Sequence, residues 1–110
     1  MSTFKPLSDT VFTSPQVDPS DLAEAKAQGI TLVVNNRPDD EEAGQPAGAE
    51  IEAAARTLGL DYVAIPISGT FEAAKVDAMR DALAKNDGKT LAFCRSGTRS
   101  AHLWGLAEAR

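Results

Sequence analysis

The sequence has too few cysteine and histidine residues for a metal centre or a disulfide framework. Its 110 residues include one cysteine, Cys94, and one histidine, His102. A single cysteine excludes an internal disulfide, and two such side chains fall short of the three or four that a protein zinc site uses. We therefore expect no metal and no cofactor. We also expect a cytoplasmic protein, in which Cys94 stays a thiol.

Basic residues and long apolar runs are also scarce. Lys and Arg total 11 against 16 Asp and Glu, and the formal net charge of −5 argues against nucleic acid as a partner. No stretch approaches the ~18 apolar residues of a membrane span, and residues 1–6 lack the apolar run of a secretory signal. We expect no membrane partner. The composition, with 43% hydrophobic residues, is that of one folded domain over residues 1–110.

Short apolar, β-branched runs alternate with helical segments along the chain. Strands are predicted at 11–13, 30–34, 61–67 and 90–94, and helices at 18–28, 47–58, 70–85 and 98–109. Thr70 is the expected cap of the third helix. Alternation of this kind, with short connections, predicts an α/β fold of three layers in which a mostly parallel sheet is covered on both faces.

The segment 93–100 is where we expect the chemistry. It lies where the last predicted strand becomes a helix, at the edge of the sheet where open α/β folds bind ligands. A turn containing Gly97 can point several N–H groups inward and form an anion site at the helix N-terminus. The helix dipole and the guanidinium of Arg95 or Arg99 would favour the thiolate of Cys94. A buried structural cysteine is the alternative interpretation.

From this arrangement we predict two catalytic residues, Cys94 and Arg99. The predicted anion-binding residues are Arg95, Ser96, Gly97, Thr98 and Ser100.

Charged residues also follow the second predicted strand, which parallel topology brings to the same edge of the sheet. Arg37 and Asp39 are expected to support the catalytic segment from there. Arg37 would either pair with neighbouring carboxylates or approach the anion site. Asp39, Asp40 and Glu42 are candidate proton donors, although such a charged turn is also typical of a solvated loop.

The segment Cys-Arg-Ser-Gly-Thr-Arg-Ser from position 94 resembles the active loop of two enzyme groups, the cysteine-dependent phosphatases and the rhodanese-type sulfurtransferases. Four residues separate Cys94 from Arg99. Phosphatases have five at this point, and the shorter spacing resembles the rhodanese loop. Phe93 stands where phosphatases have histidine.

Further motifs extend the resemblance over nearly the whole chain. Phe-Thr-Ser-Pro-Gln from position 12, Asn-Arg-Pro-Asp from position 36, and Tyr62 with Pro66 resemble the beta-lactamase-hydrolase-like phosphatase family of bacteria. The resemblance implies a dual-specificity-phosphatase-like fold with Cys94 as the nucleophile. Some members are fused to persulfide dioxygenase or sulfide:quinone oxidoreductase modules, which implies a sulfur-oxidising enzyme as a partner.

The expected reaction is inferred from the absence of a general acid on the loop at 67–70. Phosphatases of this fold use an acid, usually an aspartate, on a loop before the cysteine, and residues 67–70 contain no carboxylate. Because a sulfite or thiolate leaving group needs no proton, we predict a cysteine-dependent sulfurtransferase. Its small anionic or sulfane-sulfur substrate would be thiosulfate or a persulfide, with a thiol or cyanide as acceptor. A phosphatase forming a phosphocysteine is the first alternative, and a non-catalytic anion-binding or redox-sensing module is the second.

Overall fold

Five strands form one sheet in the computed structural model, which describes residues 4–110. The strands are β1 (Lys5–Pro6), β2 (Val11–Ser14), β3 (Ile30–Asn35), β4 (Asp61–Ala64) and β5 (Lys89–Phe93). Their order across the sheet is β1-β2-β5-β3-β4, in which β1 is antiparallel to β2 and all other pairs are parallel. We expected no secretory signal in residues 1–6, and residues 1–3 of that segment lie outside the described residues.

Helices cover both faces of the sheet. They are α1 (Leu22–Ala27), which follows a 3₁₀ turn at Pro19–Asp21, α2 (Gly48–Thr57), α3 (Ala73–Lys85) and α4 (Thr98–Glu108). Val33 and Leu91 pack with α1 and α2 in one apolar cluster, while Val34 and Ala92 pack with α3 and α4 in another. Successive strand residues face opposite sides of a sheet, so β3 and β5 supply both clusters. The predicted three-layer α/β fold is confirmed.

No helix within residues 4–110 has the length and apolar character that crossing a lipid bilayer requires.

The elements differ from the predicted ones at three places. Strand β1 was not predicted, since a two-residue strand containing Pro6 carries no alternating pattern. Strand β4 ends at Ala64 and not at residue 67, because Pro66 has no N–H for the ladder. Helix α3 begins at Ala73 with Glu72 in the N-cap position, so the prediction that Thr70 caps this helix is wrong.

The topology brings three loops to one edge of the sheet. Strand β5 lies between β2 and β3, and Phe93 at its end is in register with Ser14 and Asn35. The residues that follow these three strands therefore converge, since parallel strands end at the same edge. Cys94 comes directly after β5 at this point.

Candidate active site

The loop between β5 and α4 folds around the sulfur of Cys94. Gly97 has a φ of 93°, in the left-handed region that favours glycine. This conformation directs its N–H to the Sγ of Cys94 at 3.0 Å. The N–H groups of Arg99 and Ser100, at the start of α4, also favour the charged form of the sulfur. The predicted cluster of inward N–H groups is therefore present, with the sulfur at its centre.

These N–H groups control the ionisation of Cys94. Burial raises the pKa of the thiol, but the N–H groups of Ser100 and Gly97 outweigh burial, and the pKa lies below its ordinary value. A lowered pKa agrees with the sequence-based expectation, although Arg95 is not its source. The Arg95 side chain is 67% exposed and reaches Glu42 at 3.4 Å. The backbone of the loop therefore favours the thiolate form of Cys94.

The guanidinium of Arg99 is held by Glu41 and Ile67 and also interacts with the sulfur of Cys94. Its Nη1 donates to Glu41 Oε2 at 2.8 Å and to the carbonyl of Ile67 at 2.6 Å, and its Nη2 donates to Glu41 Oε1 at 2.9 Å. Arginine has five N–H donors. Glu41 and Ile67 leave the Nε–H and the second Nη2–H on one edge of the guanidinium, and the other side-chain partner of Arg99 among residues 4–110 is the sulfur of Cys94. Such an edge is a planar fork that suits an oxyanion.

Glu41 is the site residue that the sequence did not single out. Besides Arg99, it accepts a hydrogen bond from Nε of Arg37 at 3.0 Å. The hydrogen bonds from Arg99 lower the pKa of Glu41 to about 2, although burial opposes the shift. At neutral pH Glu41 is therefore a carboxylate, which orients Arg99 and does not donate a proton. The sequence feature that could have pointed to Glu41 is the acidic run at 39–42. A loop without periodicity does not show which of its carboxylates turns inward.

Arg37 anchors the acidic loop through its guanidinium. Its side chain is 4% exposed and donates to Glu41 and Glu42, each at 3.0 Å. Its third bond, from Nη1 to Gln16 Oε1 at 3.1 Å, ties the acidic loop to the segment after β2. Of the two expected arrangements for Arg37, the structure shows the pairing with carboxylates.

Asp39 has a different role from the expected one. Its Oδ1 accepts a hydrogen bond from the N–H of Gly48 at 2.8 Å, at the first residue of α2. A carboxylate at this position satisfies a helix N–H group that has no partner within the helix. Asp39 therefore stabilises the start of α2 rather than supporting Cys94.

The remaining predicted residues are Ser96, Thr98 and Ser100, whose hydroxyls differ in burial. Ser96 and Thr98 are exposed, and their hydroxyls hydrogen-bond to each other at 3.1 Å. Ser100 is buried, and its hydroxyl donates to Oδ1 of Asn36 at 2.8 Å.

Next to the loop lies a cavity of about 330 Å³, which is lined by Arg37, Glu41, Glu42, Arg95 and Arg99.

Replacing Gly97 by alanine is expected to destabilise the protein. At a φ of 93° a side chain is strained, and a Cβ would lie 3.4 Å from backbone atoms of Ser14. We expect a loss of ~1–3 kcal/mol in the free energy of unfolding, measured by urea denaturation. Gly105, in the middle of α4 with nothing within 4 Å of an added Cβ, is the control. Gly105→Ala should stabilise the protein by ~0.5–1 kcal/mol, and equal effects of the two substitutions would contradict the expectation.

Known proteins resemble this chain over nearly its full length. The family profile described as "Beta-lactamase hydrolase-like protein, phosphatase-like domain" matches residues 3–110. The beta-lactamase hydrolase-like protein of Agrobacterium fabrum is 38% identical over 101 residues, covering 91% of this chain and 23% of the relative. For the protein of the same name from Xylella fastidiosa the identity is 34% over 103 residues, covering 93% of this chain and 24% of the relative. The chain spans about a quarter of the length of these relatives.

Solved structures share the fold. The crystal structure of a "putative phosphatase" from Neisseria meningitidis has a TM-score of 0.85 and 30% identity, covering 94% of this chain and 75% of that one. A second structure with the same description, from Shewanella putrefaciens, has a TM-score of 0.83 and 21% identity, covering 96% of this chain and 66% of that one. A kinase-associated phosphatase, at 18% identity and a TM-score of 0.68, shares the fold over 91% of this chain and 67% of its own. The chain belongs to the family of phosphatase-like domains of beta-lactamase hydrolase-like proteins.

Proposed function

We propose that this chain is a cysteine-dependent phosphatase acting on phosphate monoesters through a phosphocysteine. The observation that carries the proposal is the guanidinium of Arg99, which Glu41 orients and which interacts with the Cys94 sulfur, a thiol that three N–H groups hold toward its ionised form. The family and the solved relatives, which are described as phosphatases, support the same chemistry.

The reaction proceeds in two displacements at phosphorus. The Cys94 thiolate attacks phosphorus, an S–P bond forms, and the P–O bond breaks, so that the leaving group departs as an oxyanion and is protonated by solvent. Water then attacks the phosphocysteine and loses a proton to solvent, the S–P bond breaks, and inorganic phosphate leaves with the thiolate restored. Arg99 binds two of the phosphoryl oxygens during both steps, where its charge stabilises the transition state. Both steps require that Cys94 is reduced and not oxidised. A reducing compartment such as the cytoplasm keeps cysteine in this state.

The surroundings of the loop also indicate the preferred esters. Residues 67–70 hold no carboxylate, and Glu41 is ionised and bound to Arg99. An alkoxide leaving group depends on a proton donor, which contributes about 10²–10⁴-fold in rate, whereas a stabilised leaving group does not. We therefore infer a preference for aryl esters or anhydrides of phosphate over alkyl esters.

Sulfur transfer is the second candidate. The comparisons favour the phosphatase alternative and do not support the sulfurtransferase that the loop spacing predicts. Two observations still favour sulfur transfer, with a sulfur-oxidising enzyme as the supplier of substrate. Four residues separate Cys94 from Arg99, and the loop at 67–70 lacks an acid that phosphate ester cleavage uses.

One assay decides between the two reactions. The purified chain is given p-nitrophenyl phosphate in one reaction, and thiosulfate with cyanide in the other. We expect kcat/KM for ester hydrolysis to exceed that for sulfur transfer by at least ~10-fold, or ~1.4 kcal/mol. Acid quenching followed by mass spectrometry should show a phosphoryl group on Cys94. A sulfur atom on Cys94, together with a faster thiosulfate reaction, would overturn the phosphatase proposal.

A further inference from the structure

The cavity beside the loop between β5 and α4 contains a second arginine that the two displacements do not use. Arg95 follows Cys94 directly, and its side chain is 67% exposed. Its guanidinium reaches the carboxylate of Glu42 at 3.4 Å. Arg95 and Arg99 line the same cavity of about 330 Å³. A substrate held by Arg99 therefore lies in the same cavity as the Arg95 guanidinium.

The size and charge of this cavity suit more than one phosphoryl group. Sites for small molecules occupy about 300–1,000 Å³, and this cavity lies at the lower end of that range. A phosphoryl group, which is one phosphorus with its oxygens, fills a fraction of such a volume. The ionised side chains that line the cavity are three arginines and two glutamates, so one positive charge is in excess. The remaining space therefore favours a second anionic group on the substrate.

Arg95 is the arginine of this cavity that is best placed to bind the second group. Arg37 is 4% exposed, and each of its three side-chain nitrogens donates to a neighbouring side chain. Arg99 is oriented by Glu41 and binds the transferred phosphoryl group in the proposed reaction. The pair of Arg95 with Glu42 is exposed at both side chains, by 67% and 53%, and such pairs contribute little to stability. An anionic group of the substrate can therefore replace Glu42 at Arg95, while Arg37 keeps Glu42 in its loop.

The leaving group is the part of the substrate that faces away from the sulfur. The attacking and leaving atoms lie roughly in line at phosphorus. Because Cys94 is buried, the leaving group points outward, toward the open cavity. Residues 67–70 supply no acid, so the leaving group must depart as a stable anion. A phosphate meets both conditions, because it departs without a proton and carries the charge that suits Arg95.

We propose that the substrate is a phosphoanhydride, whose terminal phosphoryl group is transferred to Cys94 and whose leaving phosphate is bound by Arg95. The proposal rests on the proposed function and names its substrate class. The thiolate attacks the terminal phosphorus, an S–P bond forms, and the bond from that phosphorus to the bridging oxygen breaks. The electron pair of the broken bond stays on the departing phosphate, where the guanidinium of Arg95 offsets the added charge. Water then cleaves the phosphocysteine and loses a proton to solvent, as for an ester.

The test compares inorganic pyrophosphate with p-nitrophenyl phosphate, both without divalent cations. Each compound has a stabilised leaving group, but only pyrophosphate presents a leaving phosphate to Arg95. The measured quantity is the ratio of kcat/KM for pyrophosphate to kcat/KM for the ester, from the release of phosphate. We expect Arg95→Gln to lower this ratio about tenfold, the effect of one hydrogen bond between charged groups. Glu42→Gln should raise the ratio about threefold, because the competing carboxylate is removed.

Arg56→Gln is the matched control. Arg56 forms an exposed pair with Glu52 on α2 at 3.1 Å, outside this cavity, so its replacement should leave the ratio unchanged. An equal ratio in Arg95→Gln and wild type would overturn the proposal, as would a wild type that hydrolyses the ester but not pyrophosphate. In both cases the phosphatase proposal would stand. Hydrolysis of neither compound would overturn the proposed function, and this substrate class with it.

Binding gives a second test, which does not depend on turnover. In Cys94→Ser, calorimetric titration should give a Kd for pyrophosphate about tenfold below the Kd for inorganic phosphate. Adding Arg95→Gln in that background should remove the difference. Equal Kd values for the two anions in Cys94→Ser would contradict the proposal, and so would a difference that persists in the double variant.

Discussion

Replacement of Cys94 by serine is expected to lower kcat for p-nitrophenyl phosphate by at least ~10³-fold. The N–H groups of Gly97, Arg99 and Ser100 favour a thiolate, but the same donors do not ionise a hydroxyl, whose pKa is far higher. The nucleophile of the first displacement is then missing. Cys94 is buried and similar in size to serine, so the loop should keep its geometry.

Phosphate binding provides the internal control for Cys94→Ser. The oxyanion is bound by Arg99 and by the loop, so calorimetric titration with inorganic phosphate should give a Kd close to that of wild type. Ser96→Ala is the matched control for activity, because the exposed Ser96 hydroxyl contacts Thr98 and not the sulfur. Substantial hydrolysis by Cys94→Ser would exclude the phosphocysteine mechanism.

Replacement of Arg99 by lysine should reduce kcat/KM for the same ester by about 10²–10³-fold, with the charge unchanged. Arg99 uses three donors on Glu41 and Ile67 and has two more on the opposite edge of the guanidinium. An ammonium has three donors on one nitrogen, so it cannot hold Glu41 and present a planar fork to a phosphoryl group at the same time. Steady-state kinetics on the folded variant measure the loss.

Arg95→Lys is the matched comparison in the same loop. Arg95 is 67% exposed and has a 3.4 Å contact with Glu42, so we expect less than about a tenfold change. If Arg99→Lys keeps as much activity as Arg95→Lys, positive charge rather than the geometry of the Arg99 guanidinium determines binding. The role assigned to Glu41, which orients that guanidinium, would then be wrong as well.

Local sequence patterns determined the architecture and the turn around Cys94. The apolar runs of β3 and β5 pack on both faces, as buried parallel strands do, and their alternation with helices leaves few topologies. Gly97 and the hydroxyl and arginine residues around Cys94 lie within seven positions, so the turn that places their N–H groups at the sulfur is encoded locally. The loop length did not determine the reaction: it favoured sulfur transfer, whereas the family supports phosphatase chemistry.

The side chains around Cys94 were placed by the tertiary structure alone. Glu41 binds Arg99 across 58 positions in the chain, and Ser100 reaches Asn36 across 64. Asp39, two residues from Glu41, instead turns to the start of α2. The segment from Asn36 to Ala47 has no periodic pattern and contains two prolines, so nothing local distinguishes one carboxylate from the next. Their roles were set when the parallel strands brought distant loops to one edge, because contacts between such loops depend on the packed sheet and not on neighbours in the chain.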